Sequence, residues 1–279
     1  MSAAVLTPAA PTAAAQAPAL KVTQGRVLHS EWTKFRSLRS TLYTLLVAVV
    51  LMIGIAAVFS AVIASQYHTF SASDRAAFNP ISASLNGVTF AQVAFGVLGV
   101  LMMSGEYSTG MIRSSLTSVP RRLPVLWGKL AVFSGAIFSI SLIASFISFF
   151  LGQALLSSHH LNVAITAPGA LRSVIGAALY ITVAGMIGVA LGALFRNTAA
   201  GISTFAGVFF VIPPLTNLLP ASISSHLTQY LPSNAGGVLY GGTRDLHNAL
   251  SPWTGFALLC GYAVILLAAA AWRLRRADA

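Results

Sequence analysis

Residues 42–64 read LYTLLVAVVLMIGIAAVFSAVIA, an apolar run without one charged side chain. About 20 such residues in a helix cross the hydrocarbon of a bilayer. A soluble domain could hold such a run only by covering it on every face, and this chain has too little polar surface to do so. It is 56% hydrophobic and 8% charged, with a mean hydropathy of +0.81, whereas soluble domains carry about 25% charged residues. The run therefore reads as a transmembrane helix. Five further segments repeat it, at about 88–104, 126–156, 173–195, 199–219 and 253–272. The second is short and carries glycines. The third is longer than a span needs and holds Lys129 near its start. The fifth is interrupted by Pro213-Pro214, which lack backbone donors and kink or end a helix. In lipid the freed carbonyls need partners, so this stretch should pack on protein or border a wet cavity.

Charge sets the orientation. The formal net charge is +11, but the basic residues do not gather on a polar domain, so nucleic acid is not the partner they suggest. They stand at the edges of the apolar runs. Of the 16 lysines and arginines, all but Arg75, Arg172 and Arg244 fall on one side of six spans. By the positive-inside rule that side is cytoplasmic. Both ends of the chain are basic, at Lys21 to Arg39 and at Arg273 to Arg276. An even number of spans keeps them on the same side. Residues 1–20 are Ala/Pro-rich, with neither a basic start nor a leucine-rich core, and read as a disordered cytoplasmic tail rather than a signal peptide. Residues 21–279 then form a single transmembrane domain. The fold class is all-α integral membrane, with six transmembrane helices and an N-terminal amphipathic interfacial helix.

No enzyme signature is present. Gly128-Lys129 is followed by Leu130 and lacks the upstream glycine of a phosphate-binding loop. Only 5 acidic residues exist in the chain, so magnesium-nucleotide chemistry has no ligands to work with. No paired aspartates and no H-E-x-x-H motif occur. His159 and His160 are adjacent and face different directions on a helix, and Cys260 is the single cysteine, so no metal site is expected. The spans also lack ionisable groups near their middles, which ion- and proton-driven carriers commonly use. Energy for any uphill transport should arrive from outside the lipid.

Two cytoplasmic segments are candidate ports for that energy. In the first, about 24–40, Leu28, Trp32, Phe35 and Leu38 recur at helical spacing, with Arg26, Ser30, Lys34 and Ser37 on another face. This predicts an amphipathic helix at the membrane surface, with Trp32 at headgroup level. The second, 105–124, reads GEYSTGMIRSSLTSVPRRLP. Glu106 sits where the second span meets the cytoplasm, and Arg113 lies two helical turns on along the same face. Met111, Ser115 and Ser118 fall on another face, and Pro124 suits the first turn of the next helix.

Three stretches carry a resemblance. Residues 30–41 (SEWTKFRSLRST), Gly105-Glu106-Tyr107 with Gly110, Arg113 and Pro120-Arg121-Arg122, and Leu231-Pro232-Ser233-Asn234-Ala235-Gly236 together resemble the ABC-2-type permeases of bacterial exporters, in the family's order. The resemblance implies an ABC-2 (type V exporter-like) permease architecture in the bacterial plasma membrane, multi-pass, with no ATPase domain of its own. It implies a pair of ABC ATPase subunits and a second permease subunit as partners, alike or different, with ATP and magnesium held on the ATPase. It implies that Glu106 to Ser118 forms a coupling helix. The coupling set is then Glu106, Tyr107, Gly110, Arg113, Ser114, Thr117, Ser118, Arg121 and Arg122, with Arg196 as a smaller second contact. Leu28, Trp32, Lys34, Phe35 and Arg36 belong to the interfacial helix beside it. Short re-entrant helices are implied for the outer region 220–252. The Ala/Pro tail has no counterpart in the pattern.

The remaining expectations come from the residues themselves. Gly185, Gly188 and Gly192 on the fourth span, and Gly96 and Gly99 on the second, allow close helix approach within the chain or between subunits. Phe205, Phe209, Phe210 and Asn217 on the broken fifth helix are candidates for a substrate path. Alternatives to the exporter are a secondary transporter or channel, and a membrane anchor that recruits a cytoplasmic partner.

Overall fold

The computed structural model describes residues 24–108, 110, 122–241 and 249–276, and their regular structure is helical throughout. The N-terminal tail expected at 1–20 lies outside them. α1 (Gln24–Ser37) meets α2 (Arg39–Gln66) at Leu38, whose extended backbone turns the chain. Two short helices, α3 (Ala72–Ala77) and α4 (Pro80–Ser84), lead to α5 (Gly87–Ser108). The long helices α6 (Arg122–Ser157) and α7 (Ala170–Phe195) follow. α8 (Thr198–Ala206) passes through a π turn (Gly207–Val211) into α9 (Ile212–Leu215). Short helices α10 (Ala221–Leu227) and α11 (Pro232–Gly237) precede α12 (Pro252–Arg276).

Six segments are long and apolar enough to cross a membrane: Arg39–Thr69, Pro80–Ser108, Leu126–Ser157, Ala170–Phe195, Thr198–Leu215 and Pro252–Arg276. They coincide with the six apolar runs of the sequence. The second begins earlier than hydropathy suggests because α4 leads directly into α5. Pro80 starts α4, and the Asn79 side chain caps it, accepting from the Ile81 and Ser82 amides at 2.7 and 3.1 Å. At that end of the bundle Gln153 of α6 acts as a staple. Its Nε2 donates to Pro80 O at 3.0 Å and Ser84 Oγ at 2.9 Å, and its Oε1 accepts from the Val163 amide at 2.7 Å.

α7 is the centre of the bundle: 83% of its most apolar window is buried, against 22% for α2. Small residues make this possible. A Cβ on Gly99 would stand 2.2 Å from Gly185 O, one on Gly188 2.2 Å from Gly96 O, and one on Gly192 2.6 Å from Val100 O. α5 and α7 therefore touch backbone to backbone, and the glycine seam serves packing within the chain. Lipid gives apolar helices no hydrophobic reason to associate, so contact of this closeness is what holds them.

At Pro213-Pro214, where the sequence predicts a kink or a stop, the α-helix ends at Leu215, one residue beyond the second proline. The helix continues through both prolines. Immediately before them the π turn shifts the hydrogen-bond register, with the Ile212 amide donating to Gly207 O, five residues back. Beyond them Thr216 closes the turn, its Oγ1 donating to Pro213 O at 2.6 Å. The chain leaves the helix at Leu219, which is extended. A widened turn thus stands directly ahead of the prolines, where proline removes backbone donors from the helix.

Candidate functional site

The basic end of the bundle gathers α1, the last turns of α5, the first turns of α6 and the C-terminal ends of α7 and α12. α1 runs against α6: the Gln24 side chain donates to Pro124 O at 3.4 Å, and a Cβ on Gly128 would stand 2.9 Å from Val27 Cγ1. Its buried residues are Val27, Glu31 and Phe35. This packed face is not the apolar stripe read from the sequence. Leu28 is half-buried, Trp32 and Leu38 are exposed, and only Phe35 is shared. Trp32 stacks on Phe35 with ring centroids 6.2 Å apart, and Arg36 is exposed. Lys34, placed by its spacing on an outer polar face, is half-buried and turned inward. A face that mixes Val27 and Phe35 with Glu31 can turn toward protein because the ions are paired.

Four charges meet at this contact. Lys129 Nζ lies 2.7 Å from Glu31 Oε2 and 3.0 Å from Glu106 Oε1. Lys34 Nζ lies 3.0 Å from Glu31 Oε1 and 3.2 Å from Glu106 Oε1. Glu31, Glu106 and Lys129 are 3%, 5% and 2% exposed, so the ions are held away from water by one another. Burial alone would lower the Lys34 pKa, but the Glu106 and Glu31 carboxylates outweigh it and raise it above 10.5. One oxygen is left over: Glu106 Oε2 is buried and has no hydrogen-bond partner.

A second contact ties the turn after α7 to the same end of α5. Arg196 stands in the left-handed region at φ 55° and sends its amide to Gly192 O at 3.0 Å. Its guanidinium lies over the Tyr107 ring, 5.0 Å from the centroid. Asn197 caps α8 by accepting from the Ala200 amide at 3.0 Å, and Ser104 Oγ pairs with Thr198 Oγ1 at 2.9 Å. Arg273 of α12 donates to Leu194 O. Tyr107 and Arg196 are thus brought together, while Glu106 faces Lys34 and Lys129. Gly110 is exposed with φ 71°. Arg113, Ser114, Thr117, Ser118 and Arg121, and the side chain of Arg122, lie outside the described residues.

Sequence reasoning did not connect Glu31 with Lys129. The signal was present. In a chain with 5 acidic residues, a glutamate on the membrane-surface helix and a lysine inside an apolar run are each costly unless paired.

The opposite end carries an uncharged network. Tyr180 OH donates to Gln92 Oε1, Gln92 Nε2 donates to Thr89 O at 2.8 Å, and Thr89 Oγ1 lies 3.5 Å from Tyr240 OH. A cavity of about 290 Å³ adjoins these groups and is also lined by Phe209, Phe210, Pro213 and Pro214. Of the proposed path residues, Phe205 is fully buried and stacks on Phe209 at 4.4 Å. A Cβ on Gly96 would strike the Phe205 ring at 2.0 Å, so Phe205 is a packing residue against α5. Phe210 is 43% exposed, and the Asn217 side chain lies outside the described atoms. The stretch 231–237 forms α11: Asn234 Nδ2 donates to Thr228 O at 2.9 Å, and Gly236 leaves room for the Tyr180 ring. The His68 and His159 rings meet at 5.5 Å, and no group of three or more metal-ligating side chains occurs among the described residues. No protein-family model matches the chain, and no curated protein matches its sequence.

Proposed function

We propose that the chain is the membrane-spanning permease subunit of an ATP-driven exporter of the ABC-2 type, with both termini in the cytoplasm of a bacterial cell. The observation that carries this reading is the buried ion cluster. Glu106 and Lys129 stand on the two helices that flank the segment 109–121, and Glu31 and Lys34 stand on α1. A push on that segment from a cytoplasmic partner would reach α1, α5 and α6 together rather than one helix alone. The glycine seam then makes α5 and α7 move as one body. The spans hold no charge near their middles that could draw on an ion gradient. ATP and magnesium belong to a separate ATPase pair in this scheme. Its differential contact with two permease states supplies the work. A second permease subunit completes the path.

Affinity purification from the native membrane in mild detergent tests the proposal. Recovery of a soluble ATP-binding subunit in stoichiometric amount is the expected result. Uphill solute accumulation by the purified chain alone in liposomes would overturn it.

A further inference from the structure

Phe209 walls two cavities at once. One, of about 260 Å³, lies between α7, the fifth span and α12, with Ile187, Leu191, Val208 and Leu266 among its walls. Its polar members are Thr204 and Tyr262, and the Tyr262 hydroxyl already donates to Tyr230 O at 2.9 Å. The other is the cavity of about 290 Å³ beside Gln92, Tyr180 and Tyr240. Consecutive residues of α11 reach both, Pro232 the first and Ser233 and Asn234 the second. The two are therefore neighbours, one apolar and one polar. Tyr180 and Ile187 mark them on α7, seven residues or about 10 Å apart. None of the described residues lining either one is charged at neutral pH.

The wall they share stands where the helix is irregular. Phe209 is buried and stacks on Phe205 at 4.4 Å. Phe205 is pinned, because its ring fills the space beside Gly96. Between the two rings Gly207 begins the π turn, and a Cβ there would meet nothing within 4 Å. Joined, the cavities reach the size of small-molecule sites, about 300–1,000 Å³. A charged occupant would stand among membrane spans with no counter-ion in the described lining. We propose that the two cavities form one site for an uncharged amphipathic molecule, with an alkyl chain in the apolar end, a hydroxyl-bearing head in the polar end, and Phe209 as the door between them. Giving up the extra residue of the π turn rotates the helix by about 100°, the angle of one residue, and swings the ring aside. The inference requires the membrane spans and not an ATPase partner, so failure of one leaves the other standing.

The test uses the full chain in phosphatidylcholine vesicles and two photoactivatable octanols, one with a diazirine beside the hydroxyl and one with it at the far end of the chain. Peptide mass spectrometry locates the label after illumination. Gln92, Tyr180, Ile187 and Leu191 are all buried, so label on them reports entry into the cavities rather than contact with lipid. The first probe should label Gln92 or Tyr180, and the second Ile187 or Leu191. Excess octanol should compete with both. Octanoate and octylammonium, at matched membrane concentration, should need at least about tenfold more. Leu266→Trp adds bulk at the apolar end only and should remove label from the polar end as well. Phe209→Ala takes the door away and should raise label at the polar end several-fold. Four results overturn the proposal: buried residues left unlabelled or labelled in the reverse order in the unaltered chain, charged competitors as effective as octanol, polar-end label unmoved by Leu266→Trp, or label yield unmoved by Phe209→Ala.

Discussion

The two ends of this helical bundle bury polar side chains in opposite ways. The basic end holds four formal charges within hydrogen-bond reach of one another. The far end holds Gln92, Tyr180, Tyr240 and Thr89, with no charge among them. An uncharged network loses one bond when a member is removed. A charged cluster that loses one member keeps the others as uncompensated ions. The first arrangement tolerates change, while the second fixes helices against each other. Under the proposed function, the difference assigns mechanical connection to the basic end and adaptable contacts to the far end.

The largest break in this comparison comes from Lys129→Met. It leaves Glu31 and Glu106 facing each other with Lys34 alone between them, and should cost about 3–5 kcal/mol. Thermal unfolding in detergent measures it. Neutralising Glu106 to Gln in the same chain, which leaves Glu31 and Lys34 as one pair, should return part of that loss. A Lys129→Met chain as stable as the parent would show that the cluster holds nothing. Gly99→Ala comes next. Its methyl would stand 2.2 Å from Gly185 O, forcing α5 off α7 at about 1–3 kcal/mol by the same measurement. At the far end Tyr180→Phe removes the donor to Gln92 and should cost only about 1 kcal/mol. A larger loss there than at Lys129 would invert the comparison.

The smallest effect is on pH. The Lys34 pKa is raised in the folded chain, so its contribution is complete below about 10.5 and fades as pH climbs through the folded value. Amide exchange in α1, corrected for intrinsic rates, should stay constant from neutral pH to about 10 and rise only above that. Loosening nearer neutrality would mean that another group controls the contact.

Much of this was legible in the sequence. The six apolar runs stand where the six long helices stand, because composition alone decides which segments can be lipid-facing. The glycine pairs on the second and fourth spans pointed to close approach, and the backbone contacts of Gly99 and Gly188 bear that out within the chain. What escaped was pairwise. The spacing of Leu28, Trp32, Phe35 and Leu38 gave an apolar stripe, but periodicity does not say which face of a helix meets protein and which meets lipid. Both can be apolar, and here the protein face carries the ions. The π turn before Pro213 was also hidden, since Gly207-Val208-Phe209-Phe210-Val211 looks like any apolar helix. Only the register it must repair reveals it. Phe205 shows the same limit: its place on a broken helix did not reveal that its ring is buried against Gly96 of another span.

The functional account stands on one structural statement, that buried ions clamp α1 to the two helices flanking the segment 109–121. Hydrogen–deuterium exchange of residues 24–37 in the parent chain and in Lys129→Met, both in the same membrane mimetic, measures it directly. With the clamp real, amide protection across α1 falls by at least about tenfold, the equivalent of ~1.4 kcal/mol, while the interior of α7 keeps its protection. Equal protection of α1 in the two chains would contradict the account.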